Sequence, residues 1–248
     1  MAFTRASAVA LLLTILLPLG PSSAETWRVS ALDWPPYASP RLPEDGLAVT
    51  ALRKALSKIG VTLEVDYMPF PRAQALARSG LYIGYFPAWP EEVLEGFTGS
   101  GPVMMSQVGL VERRGTLLDW HHTHDLFEKY RIGYVRSYGY PAPVQIEIDH
   151  HSTKATGVDD EADLVRMLAA NRIDAALTDP NVTLHVAGDM KVSGLAASPQ
   201  VLFRKPLLLA FSAVPENAAR RRLLNSVLPI VSQNELVCCA FIPLKQHH

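Results

Sequence analysis

The chain has 248 residues, of which 48% are apolar, 19% charged and 8% aromatic. That composition suits one large domain or two lobes of about 100–150 residues each and excludes disorder as the dominant state. The net charge of −1 and the lack of a basic block argue against a nucleic-acid partner, and two adjacent cysteines, Cys238 and Cys239, exclude a disulfide scaffold and a four-cysteine zinc site.

Residues 1–24 have the layout of a secretory signal peptide. Arg5 is the single charge, Val9–Leu17 is almost wholly apolar, and Pro18, Gly20 and Pro21 interrupt the run before Ser22-Ser23-Ala24. The apolar run is about half the roughly 20 residues a membrane-spanning helix needs. The expectation is export to a bacterial periplasm, with a mature chain starting near Glu25.

Thr26–Leu32 alternates and predicts a first strand, ended by the Asp33-Trp34-Pro35-Pro36-Tyr37 loop. Leu47–Ile59 carries apolar residues at helical spacing and stops at Gly60. Thr62–Tyr67 predicts a strand, Pro71–Ser79 a short helix and Tyr82–Phe86 a buried strand. Gln107–Glu112 is a further strand, followed by polar loop residues. Arg131–Val135 and Asp174–Thr178 read as buried strands of a second unit. The helix between them is expected to be capped by Asp159, with Asp160 and Glu161 in its first turn. Asp179-Pro180 reads as a cap and first-turn proline. Leu207–Ala213 is a late strand, and Pro215–Gln233 a last helix kinked at Pro229. This alternation predicts an α/β fold rich in parallel strands. One lobe is expected from 25–112 with 205–248 and the other from 113–204, with hinges near Val111–Gly115 and Leu202–Pro206.

Ligands of such sheets bind beyond the carboxyl ends of the strands, so the post-strand loops carry the candidate site. They hold Trp34 and Tyr37, Arg72, the run Pro87, Ala88 and Trp89, the run Arg136, Ser137 and Tyr138, and Asp179. Aromatic walls with a few fixed charges suit a small polar ligand. Each position also has a plain structural reading: Trp34 and Tyr37 as cover for a core edge, Arg72 as a surface helix residue, Ser137 and Tyr138 as the start of a turn, Asp179 as a simple helix cap. There is no G-x-S-x-G, H-E-x-x-H, C-x-x-C or G-x-x-x-x-G-K pattern, so neither enzymatic activity nor a cofactor is expected.

Four stretches resemble periplasmic solute-binding proteins of the polar amino-acid (family 3) type. They are Asp33-Trp34-Pro35-Pro36-Tyr37 with Asp45-Gly46, Pro69-Phe70-Pro71-Arg72-Ala73 with Gly80, Gly84-Tyr85-Phe86-Pro87-Ala88-Trp89, and Asn171–Asp179. Arg131–Val135 is similar to the family's re-entry into the second lobe. The resemblance implies a two-lobed periplasmic binding protein (type II) fold with a cleft between lobes. It also implies hinge closure on a small polar solute and delivery by a monomer to the permease of an ABC importer at the inner membrane. It maps the loops after the first and third strands, and Asp179, onto ligand positions, with Asp179 meeting a ligand ammonium. Where the family carries an arginine for the ligand carboxylate, this chain has Trp89-Pro90-Glu91-Glu92-Val93. A glutamate cannot make an arginine's bidentate pair, so Glu91 with Asp179 favours a cationic or hydroxyl-rich ligand.

Two alternatives stand beside that reading. His121, His122 and His124 lie beside Asp125, and His150 and His151 beside Asp149. Imidazole and carboxylate can bind zinc, copper or nickel, which suggests a periplasmic metal-binding protein, although exposed polar loops explain the same residues. A catalytic derivative of the fold is the other.

Overall fold

The computed structural model describes residues 25–116 and 118–229. The signal segment, Cys238, Cys239 and residues 230–233 of the expected last helix lie outside the described residues. The first half of the molecule follows the sequence pattern closely. Strand β1 (Glu25–Ala31) buries Trp27, Val29 and Ala31. Helix α1 (Leu47–Ser57) buries Ala48, Val49, Leu52, Ala55 and Leu56, a single apolar stripe. Gly46 precedes it at φ 98°, and a Cβ there would sit 2.9 Å from the carbonyl oxygens of Pro36 and Tyr37, so this turn requires glycine. Strand β2 (Val61–Tyr67) and helix α2 (Phe70–Arg78) follow. Strand β3 (Gly84–Ala88) is buried throughout and begins two residues later than the alternation suggested. Strand β4 (Phe97–Gly99) is short and lies at an edge.

Strand β5 (Met104–Arg113) leads into the second half, which contains helix α3 (Thr123–Lys129), strand β6 (Ile132–Val135), helix α4 (Ala142–His150) and strand β7 (Ala155–Val158). Helix α5 (Glu161–Ala169), strand β8 (Ala175–Thr178) and helix α6 (Pro180–Asp189) complete it. The α5 cap is Asp160, which accepts from Asp163 N at 2.9 Å, one residue beyond the expected Asp159. Strand β9 (Leu195–Ser212) is far longer than Leu207–Ala213, and helix α7 (Pro215–Asn225) ends with its cap at Ser226 instead of running through a kink at Pro229, since a proline disfavours helical backbone in the residue before it.

The strands form one path, β2-β1-β3-β9-β5-β8-β6-β7, with β4 beside β9. Strands β2, β1 and β3 are parallel, as are β7, β6 and β8, whereas β9 and β5 run antiparallel to their neighbours. Among the described residues the two long strands, β5 and β9, carry the chain between the halves. Strand β9 pairs with β5 from Leu195 to Leu207 and with β3 and β4 from Leu208 to Ser212. Strand β5 takes β8 as its second neighbour from Gly109 to Glu112, so its crossing precedes Gly109. Among the described residues no helix is long and apolar enough to cross a membrane.

Candidate functional site

The loops after β1, β3, β6 and β8 meet at the junction of the halves. In the first, Tyr37 N and Ala38 N both donate to Trp34 O at 3.0 Å, a tight turn that aims Trp34 and Tyr37 at the second half. Tyr37 Oη donates to Asp179 Oδ2 at 2.9 Å and accepts from Asn181 Nδ2 at 3.1 Å. Asp179 is fully buried and caps α6 by accepting from Asn181 N at 2.9 Å, while Gln107 N donates to it at 3.1 Å. Burial pushes its carboxyl above the usual aspartate range, opposed by these donors. Asp179 thus serves as both cap and cross-junction anchor.

The aromatic groups interlock. Trp89 stands edge-on to Trp34 at 5.7 Å and to Tyr138 at 5.7 Å, and Trp34 to Tyr138 at 6.2 Å. Trp89 Nε1 donates to Ser106 Oγ at 2.8 Å. Beneath them lies Glu161, whose Oε1 accepts from Tyr138 Oη at 2.6 Å, Thr178 Oγ1 at 3.2 Å and Trp34 Nε1 at 3.4 Å. Desolvation raises its carboxyl despite those donors. On the other side Glu92 accepts from Trp89 N at 2.8 Å and from Gly139 N at 3.0 Å, again bridging the halves. Burial pushes Glu92 up to about 7. Glu91 pairs with Lys205, a buried residue whose ammonium lies 5.0 Å from the Trp89 ring centre.

Inside this aromatic cluster the void bounded by Leu32, Trp34, Pro87, Trp89, Glu92, Tyr138 and Leu207 measures about 10 Å³, room for a single water at most. Outside it the junction opens into a cavity of about 670 Å³. One wall is Leu32, Asp33 and Tyr67–Pro71 of the first half; the other is Arg136–Tyr138 and Asp159–Glu161 of the second. That volume falls within the usual range for small-molecule sites.

The structure therefore brings most of the candidates to one junction. Tyr138, Arg136 and Ser137 line the cavity, Trp34, Pro87 and Trp89 border the inner void, and Tyr37 and Asp179 link the halves behind it. Ala88 instead packs in the small core under α2 with Phe70 and Tyr85. Arg72 is exposed on α2 and borders neither space. Arg136 Nη1 binds Asp159 Oδ1 at 2.8 Å. Sequence reasoning passed over Asp33, Asp160, Glu161 and Glu92 as site residues. Glu161 was hidden by the one-residue shift of the α5 cap; Glu92 sits beside Glu91 with nothing in the chain to rank one over the other.

No protein-family model matches the chain, and no curated protein matches it. Solved structures do. A histidine kinase sensor domain with similarity to periplasmic binding proteins superposes with a TM-score of 0.67 at 16% identity, over 81% of this chain and 87% of that one. An ancestral arginine-binding protein bound to arginine gives 0.65 at 18% identity, over 82% and 90%. The amino acid ABC transporter substrate-binding protein AbpA from Streptococcus pneumoniae, bound to L-arginine, gives 0.61 at 14% identity, over 82% and 86%. At such identities the likeness concerns the fold: the chain has the two-lobed α/β architecture of the periplasmic binding proteins.

Proposed function

We propose that the protein is a periplasmic receptor that binds a small cationic solute, amino-acid-like or amine, between its lobes for delivery to the permease of an ABC importer. The observation that carries this reading is the charge of the 670 Å³ cavity. It presents Asp33, Asp159, Asp160 and Glu161 against one lining cation, Arg136. Asp159 pairs with Arg136 and Asp33 with Arg41 outside the cavity, Glu161 is held by three donors, and Asp160 is left as the carboxylate with no cationic partner among the described residues. A desolvating cleft with surplus carboxylates favours an ammonium or guanidinium group and disfavours a carboxylate. Two of the similar structures hold arginine, whose guanidinium suits such a wall. A binding protein, rather than an enzyme, fits both these neighbours and the closed packing of the inner aromatic cluster.

Hinge bending would occur in β5 near Gly109, slightly before the expected Val111–Gly115, and in β9 near Leu207, just past the expected Leu202–Pro206, so that the lobe boundaries expected at 112 and 205 would fall near 108 and 207. Support comes from the change of sheet neighbours at those points. Ligand can favour closure only by binding the closed form better than the open one.

The test is a thermal-shift and calorimetric screen of the mature protein against L-arginine, L-lysine, a linear diamine, L-glutamine and L-glutamate. Cations should raise the Tm by mass action, and Asp160→Ala should weaken them by about tenfold or more, the loss of one charge-assisted contact. Stabilisation by glutamate alone would refute the reading.

A further inference from the structure

Using no residue that lines the cleft, the second lobe gathers one histidine from each of its two histidine-rich stretches. His124 on α3, and Glu147 and His151 at the end of α4, place one ligand atom each within 4.8 Å of one another. His124 Nδ1 is 3.1 Å and His151 Nδ1 3.2 Å from the same carboxylate oxygen, Glu147 Oε2. We propose that His124, Glu147 and His151 form a site for a divalent ion of the zinc, copper and nickel group, clamping α3 to α4.

The chemistry and spacing agree. Two imidazole nitrogens and one carboxylate oxygen are borderline ligands suited to these ions. Tetrahedral coordination with bonds of about 2.1 Å sets neighbouring ligand atoms roughly 3.4 Å apart, so the two observed nitrogen–oxygen separations need to open only slightly. The ligands are also held before any ion arrives. The His151 ring rests 6.3 Å from that of buried Phe127, and 5.2 Å from the His124 ring, edge-on. Its Nδ1 also lies 3.2 Å from the Glu147 carbonyl oxygen, a contact an incoming ion would compete with. Glu147 and His151 side chains are only 15% and 19% exposed, whereas His124 is 60% exposed and leaves an approach from solvent. On its outer side, His124 Nε2 faces Glu128 Oε2 at 3.9 Å, a carboxylate placed to orient the ring once Nδ1 is engaged. Three protein ligands leave a fourth position for water.

The remaining members of the two stretches have other work. Asp125 accepts from His121 N and His122 N at 3.2 Å each, closing the first turn of α3. Asp149 accepts from Gln145 Nε2 at 2.9 Å. The acid that completes the cluster is therefore Glu147, four residues before His151 and on the same helical face, rather than either aspartate next to a histidine in sequence.

The test is calorimetric titration of the mature protein with Zn²⁺ alone, in a non-chelating buffer and in a Cys238→Ser, Cys239→Ser background that removes thiol ligands. One equivalent should bind, and a hundredfold excess over Kd should raise the Tm by roughly 5–10 °C. Since loss of a group that merely orients a ligand already costs about 10–100-fold in affinity, His124→Ala, His151→Ala and Glu147→Gln should each cost at least about a hundredfold. His121→Ala and His150→Ala should leave both affinity and Tm shift unchanged. His124→Ala alters an exposed ring, so it decides the matter even if His151→Ala lowers stability without metal. Zn²⁺ binding that survives His124→Ala undiminished, or no saturable binding in the parent protein, would overturn the site.

Discussion

Three buried carboxylates at the junction show how burial and hydrogen bonding compete at a single residue. Glu92 bridges the halves through Trp89 N and Gly139 N, yet burial pushes its carboxyl up to about 7. Lys205 acts in the opposite direction, and Glu91 reinforces the rise. The folded protein thus keeps a proton that the unfolded chain releases near the ordinary glutamate value of about 4.3. Between those values the native state binds more protons, so stability falls as pH rises from about 4.5 to about 7. The shift corresponds to a loss of about 3 kcal/mol over that interval. Glu92→Gln should flatten this part of the Tm–pH profile, and an unchanged slope would show that Glu92 does not titrate in the interval. Asp179 supports a different test. It receives three donors, Tyr37 Oη, Gln107 N and Asn181 N, so Asp179→Asn turns two hydrogens toward groups that already donate. Destabilisation of about 1–3 kcal/mol is expected in urea unfolding, and a similar loss of about 1–3 kcal/mol for Tyr37→Phe, which removes both the bond to Asp179 and the bond from Asn181.

At the scale of elements, the differences between pattern and structure have identifiable causes. Helix α4 contains Val144-Gln145-Ile146-Glu147-Ile148, which alternates like a strand. The folded chain winds it into a helix that buries Val144 and Ile148, one turn apart, and leaves Ile146 half exposed. With no helix foreseen there, Glu147 and His151 had no common face, and their meeting with His124 was invisible. Strand β9 includes Pro199 and Pro206, residues that ordinarily argue against an interior strand. Pro199 falls in the irregular stretch between Val201 and Ala197, where the register with β5 shifts around Gly109, whereas Pro206 stays in register opposite Met105, two residues before β9 changes neighbours. Strand β3 has the tightest contact: a Cβ on Gly84 would lie 2.1 Å from Ala210 O of β9. Gly84→Ala must push β3 and β9 apart, with an expected loss of about 1–3 kcal/mol or more in denaturant unfolding. A variant as stable as the parent would contradict the close approach of these strands.

For the whole molecule, the relevant quantity is the balance between an open and a closed junction. The inner aromatic cluster and the three bridging carboxylates already join the halves here, so among the described residues of the junction the outer cavity is what offers space for a ligand. A receptor that closes by bending in β5 and β9 should show a smaller radius of gyration by small-angle scattering on saturation with a stabilising cation. Tyr37→Phe should enlarge the radius of the unliganded protein by weakening a bond between the halves. No change in either experiment would argue for a rigid molecule.

The sequence by itself determined the local events: the β1 alternation, the apolar stripe of α1, the Asp179-Pro180 start of α6, and the sites of the post-strand loops. Those depend on neighbours within a few residues, where periodicity and turn chemistry act directly. It also marked Trp34, Tyr37, Trp89, Tyr138 and Asp179 as loop residues at strand ends, all of which the structure brings to one junction. Tertiary structure alone decided their present partners. Trp34 and Glu161 are 127 residues apart, Tyr37 and Asp179 142, and no local pattern records contacts across such separations. The same holds for Glu91, which the chain presents as a free carboxylate and the fold pairs with Lys205 of β9. Whether a charge faces a ligand or a neighbour depends on which strands cross between the lobes, and that follows from sheet pairing over the whole chain rather than from the residues around it.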